Sequence, residues 1–171
     1  MLNTDGARWR TGIIALVLTI ACAGESWGQS TQVAPEDLAR GADVVAVGKV
    51  SGLASQWNAD HSRIITTVKL AVDTYLKGGT AAGPLTILVP GGEVDGVGEI
   101  YSHMATVRKD ENVLVFAEKD RQGNFRVSRG QQGKFDVTKD ETTGKAFVGN
   151  RPMEDIASAV RQAIGVSGEK N

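Results

Sequence analysis

Hydrophobic positions along this chain alternate mostly with a period of two, which is typical of β-strands. The clearest alternation runs from 63 to 76, where one face carries Ile64, Thr66, Val68, Leu70, Val72 and Leu76. This segment exceeds the usual strand length of about 5 or 6 residues, so it predicts a strand that bends around a barrel. Apolar runs at 43–50, 85–89 and 112–118 predict further strands. The last is apolar on both faces and should be central.

Turn residues separate these strands from several shorter ones. The segment 120–124 contains Asp, Gly and Asn and predicts a hairpin turn that leads to a strand at 125–128. Two more strands are expected at 134–137 and 145–148, on either side of a polar turn at 139–144.

Two segments have helical features. Pro35–Gly41 has proline at its start, acids in its first turn and glycine at its end, as helix termini favour. A second helix is predicted over 152–165, closed by Gly165, with a disordered tail at 166–171. Its apolar stripe follows helical spacing and is typical of core packing: Ile156, Val160, Ala163 and Ile164.

These elements predict a mainly β fold. A β-domain over 29–151 would be an antiparallel OB-like barrel, with the short helix near its N-terminus and the C-terminal amphipathic helix packed on it. A barrel is favoured because closure removes exposed strand edges. The alternation is also compatible with a β-sandwich.

Residues 1–28 have the features of a secretory signal peptide. Two arginines precede an apolar run at 12–23, which is shorter than the ~20 residues needed to span a bilayer. Small residues precede a cleavage position after Gly28. The chain is therefore expected to be secreted or periplasmic.

Cys22 is the chain's single cysteine. It follows Thr19–Ala21, which offers a lipid-anchor motif as an alternative in which the protein contacts a membrane, although threonine replaces the usual leucine. If cleavage follows Gly28, the mature chain has no cysteine and hence no disulfide, thiolate nucleophile or cysteine zinc site.

Charge indicates no polyanionic partner. The chain has 19 basic and 20 acidic residues, a net charge of −1, and removal of 1–28 leaves that balance unchanged. A modest basic cluster consists of Lys119, Arg121, Arg126, Arg129 and Lys134. Acidic neighbours dilute it, so no nucleic-acid partner is predicted.

The glycine-rich segment 91–98 is predicted to be a loop. It lacks the Lys-Ser/Thr of a phosphate-binding loop, and Tyr101 occupies the third glycine position of the dinucleotide fingerprint. Loops on a rigid scaffold often carry recognition, so this loop and the Gln131–Phe135 segment are the predicted binding face. The predicted partner-binding residues are Pro90, Gly91, Gly92, Glu93, Asp95, Gln132, Gly133, Lys134 and Phe135. The stretch 100–107 is ambiguous, part strand and part loop.

Catalytic and metal-binding patterns are weak. The two histidines, His61 and His103, lack a sequence neighbour suited to act with them as a catalytic dyad. Glu93, Asp95 and Glu99 are possible oxygen ligands for calcium, but their spacing is not that of an EF-hand. We therefore predict no catalytic residue, no metal and no cofactor.

Several motifs occur in a characteristic order: Ala42–Val50, Tyr75–Gly78, Pro90–Glu93, Lys109–Phe116 and Gln132–Phe135. Over roughly 36–137, this order resembles a family of small exported bacterial proteins of unknown function, in which a comparable module can also precede a metalloprotease region. The chain is also similar to the netrin-like domain of tissue inhibitors of metalloproteinases, which implies an OB-type barrel. Those inhibitors chelate the protease metal through an N-terminal cysteine, which the predicted mature chain lacks.

Three functions follow as hypotheses. The leading one is an exported, non-enzymatic module that binds a protein or carbohydrate partner. The second is a metal-dependent exported hydrolase that uses Glu93, Asp95 and His103. The third is an envelope structural or assembly protein that docks through its terminal helix.

Overall fold

The computed structural model describes residues 33–79 and 83–167, which form a mainly β structure with one helix near each end. In chain order the elements are α1 (Pro35–Gly41), β1 (Val44–Trp57), β2 (Ile64–Lys77), β3 (Leu85–Pro90), β4 (Gly92–Val94), β5 (Val97–Glu99), β6 (Asn112–Lys119), β7 (Phe125–Val127), a 3₁₀ turn (Gly130–Gly133), β8 (Lys134–Asp136), β9 (Thr138–Lys139), β10 (Ala146–Val148), β11 (Arg151–Pro152) and α2 (Met153–Ser167). The predicted signal peptide, Cys22 and the end of the predicted tail lie outside the described residues.

Five strands close into a barrel in the order β1-β2-β3-β7-β6, because β6 pairs with β1 as well as with β7. The pairs are antiparallel except β3–β7, which is parallel and has a single bridge, Ile87 to Phe125. β8 continues along the same edge of β6 beyond β7. The predicted OB-like barrel is confirmed, and its closure excludes the β-sandwich.

Two long strands make most of the barrel wall. β2 agrees with the prediction, whereas the predicted end of β1 at Val50 is wrong, since β1 continues to Trp57. The missed half is mostly small and polar, with Leu53 and Trp57 as its large apolar residues, and pairing with β2 holds it in the sheet. Register shifts interrupt this pairing and let the strands coil. Gly48 lies at one shift, where a Cβ would be 2.2 Å from the Ala71 carbonyl oxygen.

Apolar residues form two clusters on opposite faces of the barrel wall. The barrel interior contains Val44, Ala46, Val50, Val68, Leu70, Leu85, Ile87, Val89, Val113 and Val115. The other cluster joins the wall to the helices and contains Leu38, Ala39, Ala42, Val45, Leu114, Phe116, Phe135, Val137, Ile156 and Val160. Successive residues of β6 alternate between the two clusters, which explains why this strand is apolar on both faces.

The helices lie where the sequence predicts them. The last carbonyls of α1 are capped from β2, where Lys77 Nζ donates to the oxygens of Ala39 (2.8 Å) and Arg40 (3.3 Å). The predicted apolar stripe of α2 is largely buried, but its predicted end is wrong, because α2 continues through Gly165 to Ser167. Glycine has a low helix propensity, but propensity alone does not decide where a helix ends. Within the described residues, neither helix has the length and apolarity to cross a bilayer.

Candidate functional site

The glycine-rich segment is a β-hairpin, so the prediction of an irregular loop there is wrong. β4 and β5 pair antiparallel, with Val94 opposite Val97. The two residues between them, Asp95 and Gly96, have φ angles of 51° and 79°. Positive φ at both central residues characterises a type I′ turn, for which Asp-Gly is a preferred sequence. The Asp95-Gly96 pair in the sequence therefore favours this turn.

A pair of glycines folds this hairpin back onto β1 and β2. The Gly91 amide donates to the Ile64 carbonyl oxygen (2.8 Å), and Thr66 Oγ1 donates to the Gly91 oxygen (2.6 Å). Gly92 has φ 134°, and a Cβ there would lie 2.3 Å from Thr66 Oγ1 and 2.5 Å from Ser55 Oγ. Gly91 and Gly92 therefore set the hairpin's position.

Glu99 fastens the end of the hairpin to the barrel. Its Oε2 accepts hydrogen bonds from the backbone amide of Ile64 (2.9 Å) and from the hydroxyl of Tyr101 (3.1 Å). Desolvation, and then the hydrogen bond to Glu99, raise the pKa of the Tyr101 hydroxyl above its ordinary value. Glu99 is thus a structural anchor rather than a free ligand for a cation.

Most of the exposed large apolar side chains in the described residues belong to this hairpin and the turn after it. We call Val97, Ile100, Tyr101 and Met104 the apolar patch. Ile100 is 94% exposed and Val97 50% exposed. The last three patch residues line one groove of about 340 Å³ beside Pro90 and Val107. In the sequence, most of the patch falls in the stretch 100–107, whose mixture of strand and loop features was its only signal.

The second half of the predicted face is largely built into the barrel. Phe135 is buried and packs edge-on against Phe116, with ring centroids 5.8 Å apart. Gly133 is also buried, and a Cβ there would lie 2.1 Å from the Ser128 carbonyl oxygen. Lys134 forms one ion pair with Glu111 at the barrel mouth and another with the exposed Asp136, and Gln132 is exposed.

The hairpin and the Gln131–Phe135 segment are the two halves of the predicted face. They lie on either side of residues 105–106 and line different grooves. Ala105 and Thr106 border the groove of the hairpin on one side. They also border a smaller groove with Gln131 and Lys134 on the other. Glu93 and Asp95 are exposed on the hairpin itself. The accessible residues of the predicted site are therefore Glu93 and Asp95 in the hairpin half and Gln132 in the other half.

The histidines lie in different surroundings. His61 has a ring centroid 6.2 Å from that of Trp57, in a stacked arrangement. His103 lines a cleft between β3 and β7. Across the ranges 33–79 and 83–167, His, Cys, Asp and Glu side chains form no group of three suited to hold a metal ion.

Interactions within the fold occupy much of the predicted basic cluster. Lys119 Nζ lies 5.4 Å from the centre of the Phe125 ring, and Arg126 Nε lies 2.8 Å from Asp120 Oδ2. The bond to Arg126 lowers the pKa of the Asp120 carboxyl, to which the amides of the turn also donate. These contacts stabilise the β6–β7 turn.

No family model matches the chain, and no curated protein is significantly similar to it. The resemblance to small exported bacterial proteins stays a prediction, as does the similarity to the netrin-like domain beyond the barrel shape. Function has to be inferred from the geometry of the site.

Proposed function

We propose that this protein is an exported, non-enzymatic binding module that recognises a protein partner through the apolar patch on its hairpin and the turn after it. The observation that carries this proposal is the exposure of Ile100, Tyr101 and Met104 around one groove. Exposed apolar side chains grouped at one place mark interaction sites, whereas single ones are normal on any surface. Val97 lies on the hairpin, and Tyr101 donates to Glu99, which is bonded to the barrel through the Ile64 amide. Little ordering of the patch is therefore required on binding.

The composition of the patch favours a protein over a carbohydrate. Its side chains are mainly aliphatic, and protein interfaces are enriched in methionine and tyrosine. The one aromatic ring with a hydroxyl, Tyr101, already donates that hydroxyl to Glu99. A sugar needs convergent polar groups to fix its orientation, and the patch itself has few.

The charges around the patch suggest the charge of the residues that surround the partner's apolar surface. Glu93 and Asp95 are exposed on the hairpin, and neither forms an ion pair within the described part of the chain. Opposite charge across an interface accelerates encounter and sets orientation. We therefore expect an apolar partner surface flanked by basic residues.

The test is affinity capture from envelope and secreted fractions with the tagged chain as bait. The double variant Ile100→Ser/Met104→Ser should lose a protein that the wild type retains, while its thermal unfolding temperature stays close to wild type because both side chains are exposed.

The matched control is Leu53→Ser, which removes an exposed apolar side chain of β1 outside the patch. It should retain the captured protein. Equal capture by the patch variant and the control would refute the proposed site. A sugar polymer captured in place of a protein would refute the proposed partner class.

A further inference from the structure

The barrel wall has a gap between β3 and β7. These two strands share only the bridge from Ile87 to Phe125, and each continues beyond it without a ladder to the other. A cleft of about 410 Å³ lies at this gap. That volume falls in the range of sites for small molecules, about 300–1,000 Å³.

Apolar side chains make up much of the lining of this cleft. Leu88 and Val89 come from β3, Val127 from β7, and Met104 from the turn after the hairpin. Such a lining takes up an apolar body and supplies no hydrogen bonds to it. A bound molecule must therefore present its polar group at the edge.

The charged residues that line the cleft are Arg126, Arg129 and Glu118, and His103 lines it as well. Arg126 is already paired with Asp120. Arg129 forms no ion pair or side-chain hydrogen bond with any described residue. Glu118 lies opposite Arg126 in the β6–β7 register. Glu118 likewise forms no ion pair with a described residue. Arg129 is therefore the cation of the cleft that is left to bind an anion, in a lining that also holds one unpaired carboxylate.

The backbone at Arg129 is held in an unfavourable conformation. Its φ is 50°, in the left-handed region that costs free energy for a residue other than glycine. The next residues are fixed against the turn at His103, because the Gln131 amide donates to the His103 oxygen (3.0 Å). A Cβ on Gly130 would lie 2.1 Å from that oxygen. The fold therefore maintains Arg129 at the cleft at some cost in stability.

From these features we propose that the cleft binds a small apolar carboxylate, with its hydrocarbon body on the apolar lining and its carboxylate on Arg129. Guanidinium and carboxylate form paired, charge-assisted hydrogen bonds. This cleft differs from the groove beside the apolar patch, although the two are adjacent and share Val89, Pro90, Met104 and Ala105 in their linings.

In the test, ligand is titrated into the isotope-labelled full chain at neutral pH. Binding is measured from the changes in backbone amide chemical shifts. One probe is octanoate and the other is N-acetyl-leucine, which distinguish a straight acyl chain from the end of a peptide. At least one of them should shift the amides around the cleft in a saturable way. Octan-1-ol, which has the same chain without the charge, should bind about tenfold more weakly than octanoate if octanoate is the ligand.

Arg129→Gln should weaken binding by about tenfold or more, because it removes the charge. Arg121→Gln removes an exposed arginine of the neighbouring turn outside the cleft and should leave affinity unchanged. Arg129→Lys keeps the charge and should bind better than Arg129→Gln, which separates lost charge from altered folding. The proposal is overturned if neither acid shifts the cleft amides, or if Arg129→Gln binds like wild type.

Discussion

Lys134 Nζ lies 3.0 Å from Glu111 Oε1, and only 12% and 17% of the two side chains are exposed. Lys134 begins β8, whereas Glu111 ends the long connection before β6. The same Glu111 oxygen accepts the Arg108 amide (2.8 Å), and Val107 lies with Lys134 at the barrel interior. This ion pair therefore fastens the connection over the barrel mouth. It assigns Lys134 a structural role, and the partner contact predicted for this residue from the sequence stays a prediction.

Lys134→Ala is expected to lower the free energy of unfolding by about 2–3 kcal/mol, which is below the usual cost of breaking a fully buried pair because some solvent reaches it. Loss of the lysine leaves Glu111 shielded from water with its main cation removed. Urea unfolding measures the difference. Lys139→Ala, at an exposed lysine of β9, should stay within about 0.5 kcal/mol of wild type. Equal effects of the two substitutions would contradict the structural role.

Glu99→Ala is expected to release the hairpin from the barrel without unfolding it. The substitution removes the acceptor for the Ile64 amide and for the Tyr101 hydroxyl. Hydrogen exchange should then accelerate at Ile64 and within β4 and β5, while β6 keeps its protection. Glu93→Ala changes an exposed acid on the same hairpin and should leave exchange unaltered. Unchanged protection of Ile64 in Glu99→Ala would refute the anchor.

Asp120→Asn is expected to cost stability at neutral pH and little in acid. Because the Arg126 hydrogen bond holds the pKa of Asp120 below its ordinary value of 3.8, the ionised carboxylate contributes stability above that value. The contribution is lost as pH falls through the lower pKa of the folded state. The difference in unfolding free energy between wild type and variant should therefore stay level from pH 7 down toward the ordinary pKa of 3.8 and shrink as the pH falls below it. A difference that does not change with pH would exclude a role for the charge.

Gly133→Ala is expected to destabilise the fold by about 1–3 kcal/mol. Its Cβ would meet the Ser128 oxygen at 2.1 Å, and a backbone atom cannot move aside without disturbing the 3₁₀ turn. Gly165→Ala, in α2, provides the opposite case. A Cβ at Gly165 would have no packing neighbour within 4 Å. The substitution should stabilise the helix by up to about 1 kcal/mol. Thermal unfolding distinguishes the two signs, and stabilisation by Gly133→Ala would show that the turn accommodates the methyl group.

The sequence by itself determined the fold class, both helices and most strands of this protein. Those features arise from local rules: the period-two alternation of β2, the doubly apolar run of β6 and the terminal signals of α1. The second half of β1 was not predicted as a strand, because pairing with β2, rather than side-chain alternation, holds it in the sheet.

Only the tertiary structure decided which candidate residues are accessible. Phe135 and Lys134 look available in a polar, glycine-rich stretch, yet the ladder between β6 and β8 turns Phe135 into the apolar cluster beside the helices and places Lys134 at the barrel mouth. Ile100 looks like a strand residue, yet the hairpin before it leaves it in solvent. Burial depends on which segments, distant in sequence, pack against each other in the fold. The pattern of residues along the chain does not specify that packing.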